Sequence, residues 1–126
     1  MLMFALLKTS VGHFFEDKAV DFLRLKGFEI LCTRFRCRSG EIDIVTRKRD
    51  VLSFVEVRAR RSGSIFEPIE SVDRRKITRI KKTAQYFLKK NPCLYGLQIR
   101  FDLFIYVFDG KNMRIIMQEH LPDYFR

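Results

Sequence analysis

Two short runs of alternating residues constrain this chain more than anything else in it. Gly40-Glu41-Ile42-Asp43-Ile44-Val45 and Phe54-Val55-Glu56-Val57-Arg58 both switch between apolar and charged side chains with period two, the pattern of half-buried strands. Thr46-Arg47-Lys48-Arg49-Asp50 between them has the polarity of a tight turn. A two-residue loop at Arg49-Asp50 sets Lys48 against Val51 and, counting back, Asp43 against Glu56. Any even loop length keeps the two carboxylates on one face, and an odd length separates them. Like charges paired across a sheet are destabilising. The pair therefore requires compensation, either from neighbouring arginines or from a bound cation.

The flanking sequence places this hairpin in an αβββαββ order, an α/β domain around a mixed sheet. A helix is expected over 12–26, with Phe15, Ala19, Phe22 and Leu23 on one face, Glu16 at the edge of that stripe, and Gly27 as the stop. A strand over 28–37 follows, with Cys32, Arg34 and Arg36 on one face and Phe35 and Cys37 on the other. After a loop over 60–70, a helix over 71–90 buries Ile77, Ile80, Ala84, Phe87 and Leu88 and carries a strongly basic remainder. An apolar run over 98–108 reads as an interior strand, and Asp109-Gly110 turns into a last strand over 113–118. At 126 residues one domain is expected, 1–126, with 1–11 as an N-terminal extension.

The net charge of +10 suits a partner with a phosphate backbone or an anionic surface. Twelve of the 25 lysines and arginines fall between Arg47 and Lys82, around the acidic pair. Aromatics interleaved with them are few, which favours backbone contacts on duplex or branched DNA over base stacking on single strands. Cys32, Cys37 and Cys93 are an odd count without CxxC spacing and read as reduced thiols. Zinc is disfavoured because His13 and His120 lie far from them in sequence. Met1-Leu2-Met3-Phe4-Ala5-Leu6-Leu7 is apolar but too short to span a bilayer, with no basic region before it, and reads as an extra packed segment. These features point to a cytoplasmic protein with no membrane partner.

Taken together, Glu16, Gly40-Glu41-Ile42-Asp43 and Phe54-Val55-Glu56-Val57-Arg58 resemble the PD-(D/E)xK nuclease superfamily, and most closely its YraN-type branch, which is related to Holliday-junction resolvases. The resemblance runs from about Gly12 to Phe125. It implies a restriction-endonuclease-like fold and a Mg²⁺-dependent (or Mn²⁺-dependent) phosphodiester hydrolase acting on DNA. In such enzymes Asp43 and Glu56 would bind the metal, with Glu16 as a further acidic ligand and the Val57 carbonyl beside them. Lys76, Arg79, Arg60 and Arg61 would grip the nucleic-acid backbone. Two positions depart from the family pattern. Arg58 stands where a lysine is usual, and a guanidinium cannot give up its proton, so its role would be to stabilise charge on the phosphate. Phe15 stands where a glycine usually precedes the helix glutamate.

Blander readings accompany each of these residues. Asp43 and Glu56 could form a salt-bridge ladder with Arg58 and Arg47, Glu16 could be an ordinary helix-flank carboxylate, and Glu41 the strand's polar entry. Asp102 shares a face with Arg100 and reads as a structural ion pair; His13 and His120 read as surface or capping residues. At the level of function, the alternative to a nuclease is a non-catalytic nucleic-acid-binding or adaptor module, favoured by Arg58. Charge alone also fits an RNA partner. Junction cleavage would call for a homodimer.

Overall fold

The period-two runs do form strands, and they build the centre of a five-stranded sheet. The computed structural model describes residues 2–63 and 73–125, with side chains from Ser10 onward. Its elements are α1 (Leu2–Leu25), β1 (Glu29–Cys37), β2 (Gly40–Lys48), β3 (Val51–Arg61), α2 (Arg74–Lys90), a short 3₁₀ turn (Pro92–Leu94), β4 (Gln98–Phe108) and β5 (Ile115–Leu121). The sheet order is β1-β2-β3-β4-β5. Only β3 and β4 run parallel, because α2 carries the chain across one face between them. This is the expected restriction-endonuclease-like α/β architecture, a mixed sheet with a helix on either face.

The two faces have separate cores. Phe15, Ala19 and Leu23 of α1 pack on Ile44, Val55, Phe104 and Tyr106. On the other face Ile80, Ala84 and Phe87 of α2 pack on Ile42, Val45, Leu52 and Phe54. The Phe15 ring lies 5.2 Å from that of Tyr106 and 4.8 Å from that of Phe108, so it fixes α1 to β4. The helix stops where expected, at Gly27 with φ 89°, and the Phe28 N–H returns to the Leu23 carbonyl at 2.9 Å.

Several boundaries differ from the sequence reading. Helix α1 begins at Leu2 rather than near Gly12, since one interior glycine costs only about 1 kcal/mol and the Leu- and Met-rich run before it favours helix. The expected packing of residues 1–7 and part of the 60–70 loop lie outside the described residues, as do positions 71–72, where α2 was expected to start. Asp73 caps the observed helix by accepting the Lys76 N–H at 2.9 Å. The faces of β1 are not those of a regular strand. A bulge between Ile30 and Cys32 and a left-handed Arg34 at φ 52° put Cys32 and Phe35 together on the α2 side, while Arg34 reaches α1. The last strand starts at Ile115 rather than at 113.

Asp102 belongs to the architecture. It is fully buried and accepts from Arg100 Nε and Nη2 at 2.9 and 3.0 Å and from the Asp123 N–H at 2.9 Å, with His120 Nε2 at 2.8 Å. His120 is thus an inward-facing partner rather than a surface residue, stacked on Phe104. Burial alone would raise the Asp102 carboxyl, but these hydrogen bonds outweigh it and hold the group below its ordinary value. A carboxylate depressed in the fold adds stability above the unfolded carboxylate range and loses it as pH falls through the folded value. Wild type should therefore lose stability on acidification below about pH 4, and Asp102→Asn should flatten that limb. At neutral pH Asp102→Ala should cost about 3 kcal/mol by stranding Arg100, read by urea melts.

Candidate active site

The hairpin register is the one a two-residue turn dictates. Lys48 pairs with Val51 and the ladder continues to Ile44 opposite Val55, with Arg49 supplying the left-handed residue at φ 56°. The next step is Asp43 beside Glu56, and there the paired register stops. Ile42 packs against α2 while Ile44 joins the α1 core, so the side-chain alternation of β2 reverses across Asp43. The left-handed Arg34 lies at the matching position of β1, between the Thr33–Ile44 and Phe35–Ile42 pairs. Released from the ladder, Asp43 Oδ2 accepts the Val57 N–H at 2.8 Å.

Asp43 and Glu56 line a cavity of about 430 Å³ together with Arg38, Ser39, Gly40, Glu41, Lys76, Arg79 and Ile80. The turn that forms its rim depends on Gly40 (φ 153°), where a Cβ would come 3.2 Å from Thr83 Oγ1. That hydroxyl donates to the Arg79 carbonyl at 2.8 Å and lies 3.3 Å from Ser39 Oγ, so the β1–β2 turn is held against α2. The Glu56 side chain is 6% exposed, with Lys76 Nζ at 3.0 Å and Arg58 Nε at 3.4 Å from Oε1.

The electrostatics are those of a site short of positive charge at Asp43. Burial and then the Glu56 charge push the Asp43 carboxyl well above the usual carboxylate range; Glu16 adds to the rise, and the Val57 N–H opposes it. Glu16 is close enough to contribute, but its own direct partner is Arg34 Nη1 at 3.0 Å. It lines a neighbouring cleft with Val11, Gly12, Phe15, Val57, Arg58 and Ala59. Glu16 thus stays at the margin of the Asp43–Glu56 pair, tied to Arg34, and does not join them as a third metal-ligand carboxylate.

Among the basic residues singled out in the sequence, Lys76 and Arg79 line the carboxylate cavity, while Arg58 lines the neighbouring cleft with Glu16 and lies 3.4 Å from Glu56. Arg61 is drawn elsewhere. It packs over Gly110 and lines a separate cavity with Ser62, Asp109 and Lys111. Arg60 continues β3 beyond Arg58, opposite Val107. Glu41 pairs with Arg36 at 3.4 Å, and His13 is exposed on α1. Arg38 was missed as a rim residue, since its position depends on the turn being folded back onto α2.

Two carboxylates, one of them reluctant to ionise beside the other, suit a hard divalent cation that takes one or two carboxylates and fills its remaining positions with water and phosphate oxygen. Among the described residues, no group of three or more His, Cys, Asp or Glu side chains is spaced to hold a metal ion. The donors present would suit Mg²⁺ or Mn²⁺ held by two carboxylates, with water in the remaining positions.

Comparison with known proteins adds kinship. The model of a family described as "Uncharacterised protein family UPF0102" matches residues 15–106. A UPF0102 protein of Caldicellulosiruptor bescii is 46% identical over 102 residues, 81% of this chain and 86% of its own. One from Dictyoglomus turgidum is 40% identical over 115 residues, 91% of this chain and 96% of its own. A third, from Clostridium perfringens, is 45% identical over 94 residues, 75% of this chain and 76% of its own.

Proposed function

We infer that this chain, which belongs to Uncharacterised protein family UPF0102, is a divalent-metal-dependent phosphodiesterase of the PD-(D/E)xK nuclease superfamily acting on DNA. The observation that carries the reading is the Asp43–Glu56 pair: two carboxylates, mutually repelling, in a cavity that Arg38, Lys76 and Arg79 also line. Carboxylates and cations lining one cavity suit a phosphate group held with a divalent cation, whose negative oxygens the arginines and lysine would receive.

Asp43 and Glu56 would hold Mg²⁺ or Mn²⁺, with the Val57 carbonyl next along β3. When bound, such an ion lowers the pKa of a water molecule and offsets charge on the phosphate. The Val57 N–H keeps Asp43 aimed into the cavity, and Arg34 restrains Glu16 beside it. Arg58 and Lys76 reach Glu56 from opposite elements, β3 and α2. Arg58 can only donate hydrogen bonds and offset charge. Lys76 is the ammonium of an ion pair with Glu56, so it would serve as a hydrogen-bond or proton donor to the phosphate and its leaving oxygen. Free cysteines favour a reducing compartment, and among the described residues no helix is long and apolar enough to cross a membrane. We place the protein in the cytoplasm.

The test is cleavage. Supercoiled plasmid, single-stranded DNA, four-way junctions and RNA should be incubated with Mg²⁺ or Mn²⁺ and, as control, with EDTA. Metal-dependent products on any DNA support the reading. Retention of DNA without cleavage of any substrate would instead support a non-catalytic binding or adaptor module. Arg58 and the existing Lys76–Glu56 ion pair favour that second reading.

A further inference from the structure

The carboxylate cavity does not end at its rim. A second cavity, of about 500 Å³, lies against it and is lined by Arg36, Cys37, Arg38, Ser39 and Tyr86. Arg38 and Ser39 are common to both, so the two adjoin at the β1–β2 turn, each lined in part by α2. The helix side follows from spacing: Lys76, Arg79, Thr83, Tyr86 and Lys90 recur at intervals of three and four, one stripe of an α-helix. Cations line the stripe at one end, beside Glu56. Toward the other end stands Tyr86, 41% exposed, with Lys90 Nζ 5.4 Å from its ring centre. Its nearest aromatic neighbour is Phe35, 6.2 Å away between ring centres, so much of the ring is left to solvent.

We propose that this pair of adjoining cavities binds an unpaired nucleic-acid strand, with Tyr86 as the platform on which a base stacks and Arg36 and Arg38 as partners of its phosphates. The direction of the strand, from the Asp43–Glu56 cavity toward Tyr86, rests on the phosphodiesterase reading above. Lys76 and Tyr86 are ten residues apart on α2, about 15 Å at helical rise, the length of about four stacked nucleotides. Within a duplex the bases stack on one another and offer only their edges in the grooves. An exposed ring flanked by cations therefore matches a strand whose bases are free, and aromatic–base stacking is tolerant of sequence. This places the substrate among nucleic acids with an unpaired segment beside the scissile bond, such as flaps, tails and open branch points. It revises the preference for backbone contacts on duplex or branched DNA over base stacking, drawn from the scarcity of aromatics: one tyrosine suffices when the fold brings it to the arginines.

The experiment is fluorescence anisotropy in EDTA, with a short labelled oligothymidylate and a blunt duplex of equal length, across a salt series. Wild type should bind the single strand more tightly than the duplex. Tyr86→Ala should weaken the single strand on the order of tenfold with an unchanged salt slope and little effect on duplex. Tyr86→Phe should stay within about twofold of wild type, which separates stacking from misfolding. Arg38→Ala should lower the single-strand salt slope by about 0.7. Equal losses on both ligands, or no loss in Tyr86→Ala, would overturn the stacking site while leaving the phosphodiesterase reading intact. Normal stacking behaviour in a protein that cleaves nothing would remove the catalytic reading and leave the strand-binding site.

Discussion

Asp43→Asn is expected to lower nucleic-acid cleavage by about a thousandfold while leaving binding intact or tighter. Loss of metal-assisted charge stabilisation is worth several kcal/mol, at 1.36 kcal/mol per tenfold in rate. Binding should survive because Arg79 and Arg38, the arginines of the cavity lining that would meet the backbone, are untouched. It should tighten if removing one negative charge relieves repulsion of the phosphates. The same variant carries a second signature. A carboxyl held well above its ordinary value lowers stability as pH rises through that folded value, because the unfolded chain ionises more readily. An asparagine escapes that penalty and can still accept the Val57 N–H. In metal-free buffer at neutral pH, Asp43→Asn should therefore melt above wild type; each 1 kcal/mol gained would appear as about 3–6 °C at this size. Full cleavage activity in the variant would remove Asp43 from the mechanism.

Lys76→Ala should reduce cleavage by about a hundredfold, within the range for loss of a positioned proton-transfer group. The strand position where the superfamily resemblance expects a lysine holds Arg58, and the nearest ammonium to Glu56 comes from α2 instead. If a lysine ammonium beside Glu56 is what the chemistry needs, Arg58→Lys should bring only a small gain in wild type and should restore tenfold or more in the Lys76→Ala background. That pattern is non-additive, as expected of two groups serving one carboxylate. If Lys76 is instead a backbone grip, the loss should appear as weaker binding with a duplex salt slope lowered by about 0.9, and Arg58→Lys should rescue nothing.

The contrast between these two residues marks what could be read before folding. Asp43 and Glu56 were legible because strand register is local: a two-residue turn and a period of two carry the pairing back from Lys48–Val51 without reference to the rest of the chain. The αβββαββ order was legible for the same reason, since each element announces its own period. Lys76 looked like one more cation on a basic helix. Its distance from Glu56 depends on how α2 crosses the sheet, and that is set by Ile80, Ala84 and Phe87 against Ile42 and Phe54. The Arg34–Glu16 pair was hidden by backbone: no local pattern announces a non-glycine residue at φ 52° in mid-strand, and with the bulge at Ile30–Cys32 it redirects β1. Non-glycine strain of this kind clusters near working sites, and here it sits across from Asp43. His120 and Asp102 were separated by 18 positions and meet only once β5 pairs with β4.

The central claim is that Asp43 and Glu56 form a divalent-cation site. The most direct test is calorimetric titration of Mg²⁺ and Mn²⁺ into wild type and Asp43→Ala, with and without DNA. The account predicts binding to wild type, strengthened by DNA because phosphate oxygens complete the coordination, and no binding in Asp43→Ala under either condition. Absence of binding to wild type even with DNA present would contradict it. Asp43 and Glu56 would then be a buried ion-pair cluster closed by Lys76 and Arg58, and the protein a nucleic-acid-binding module.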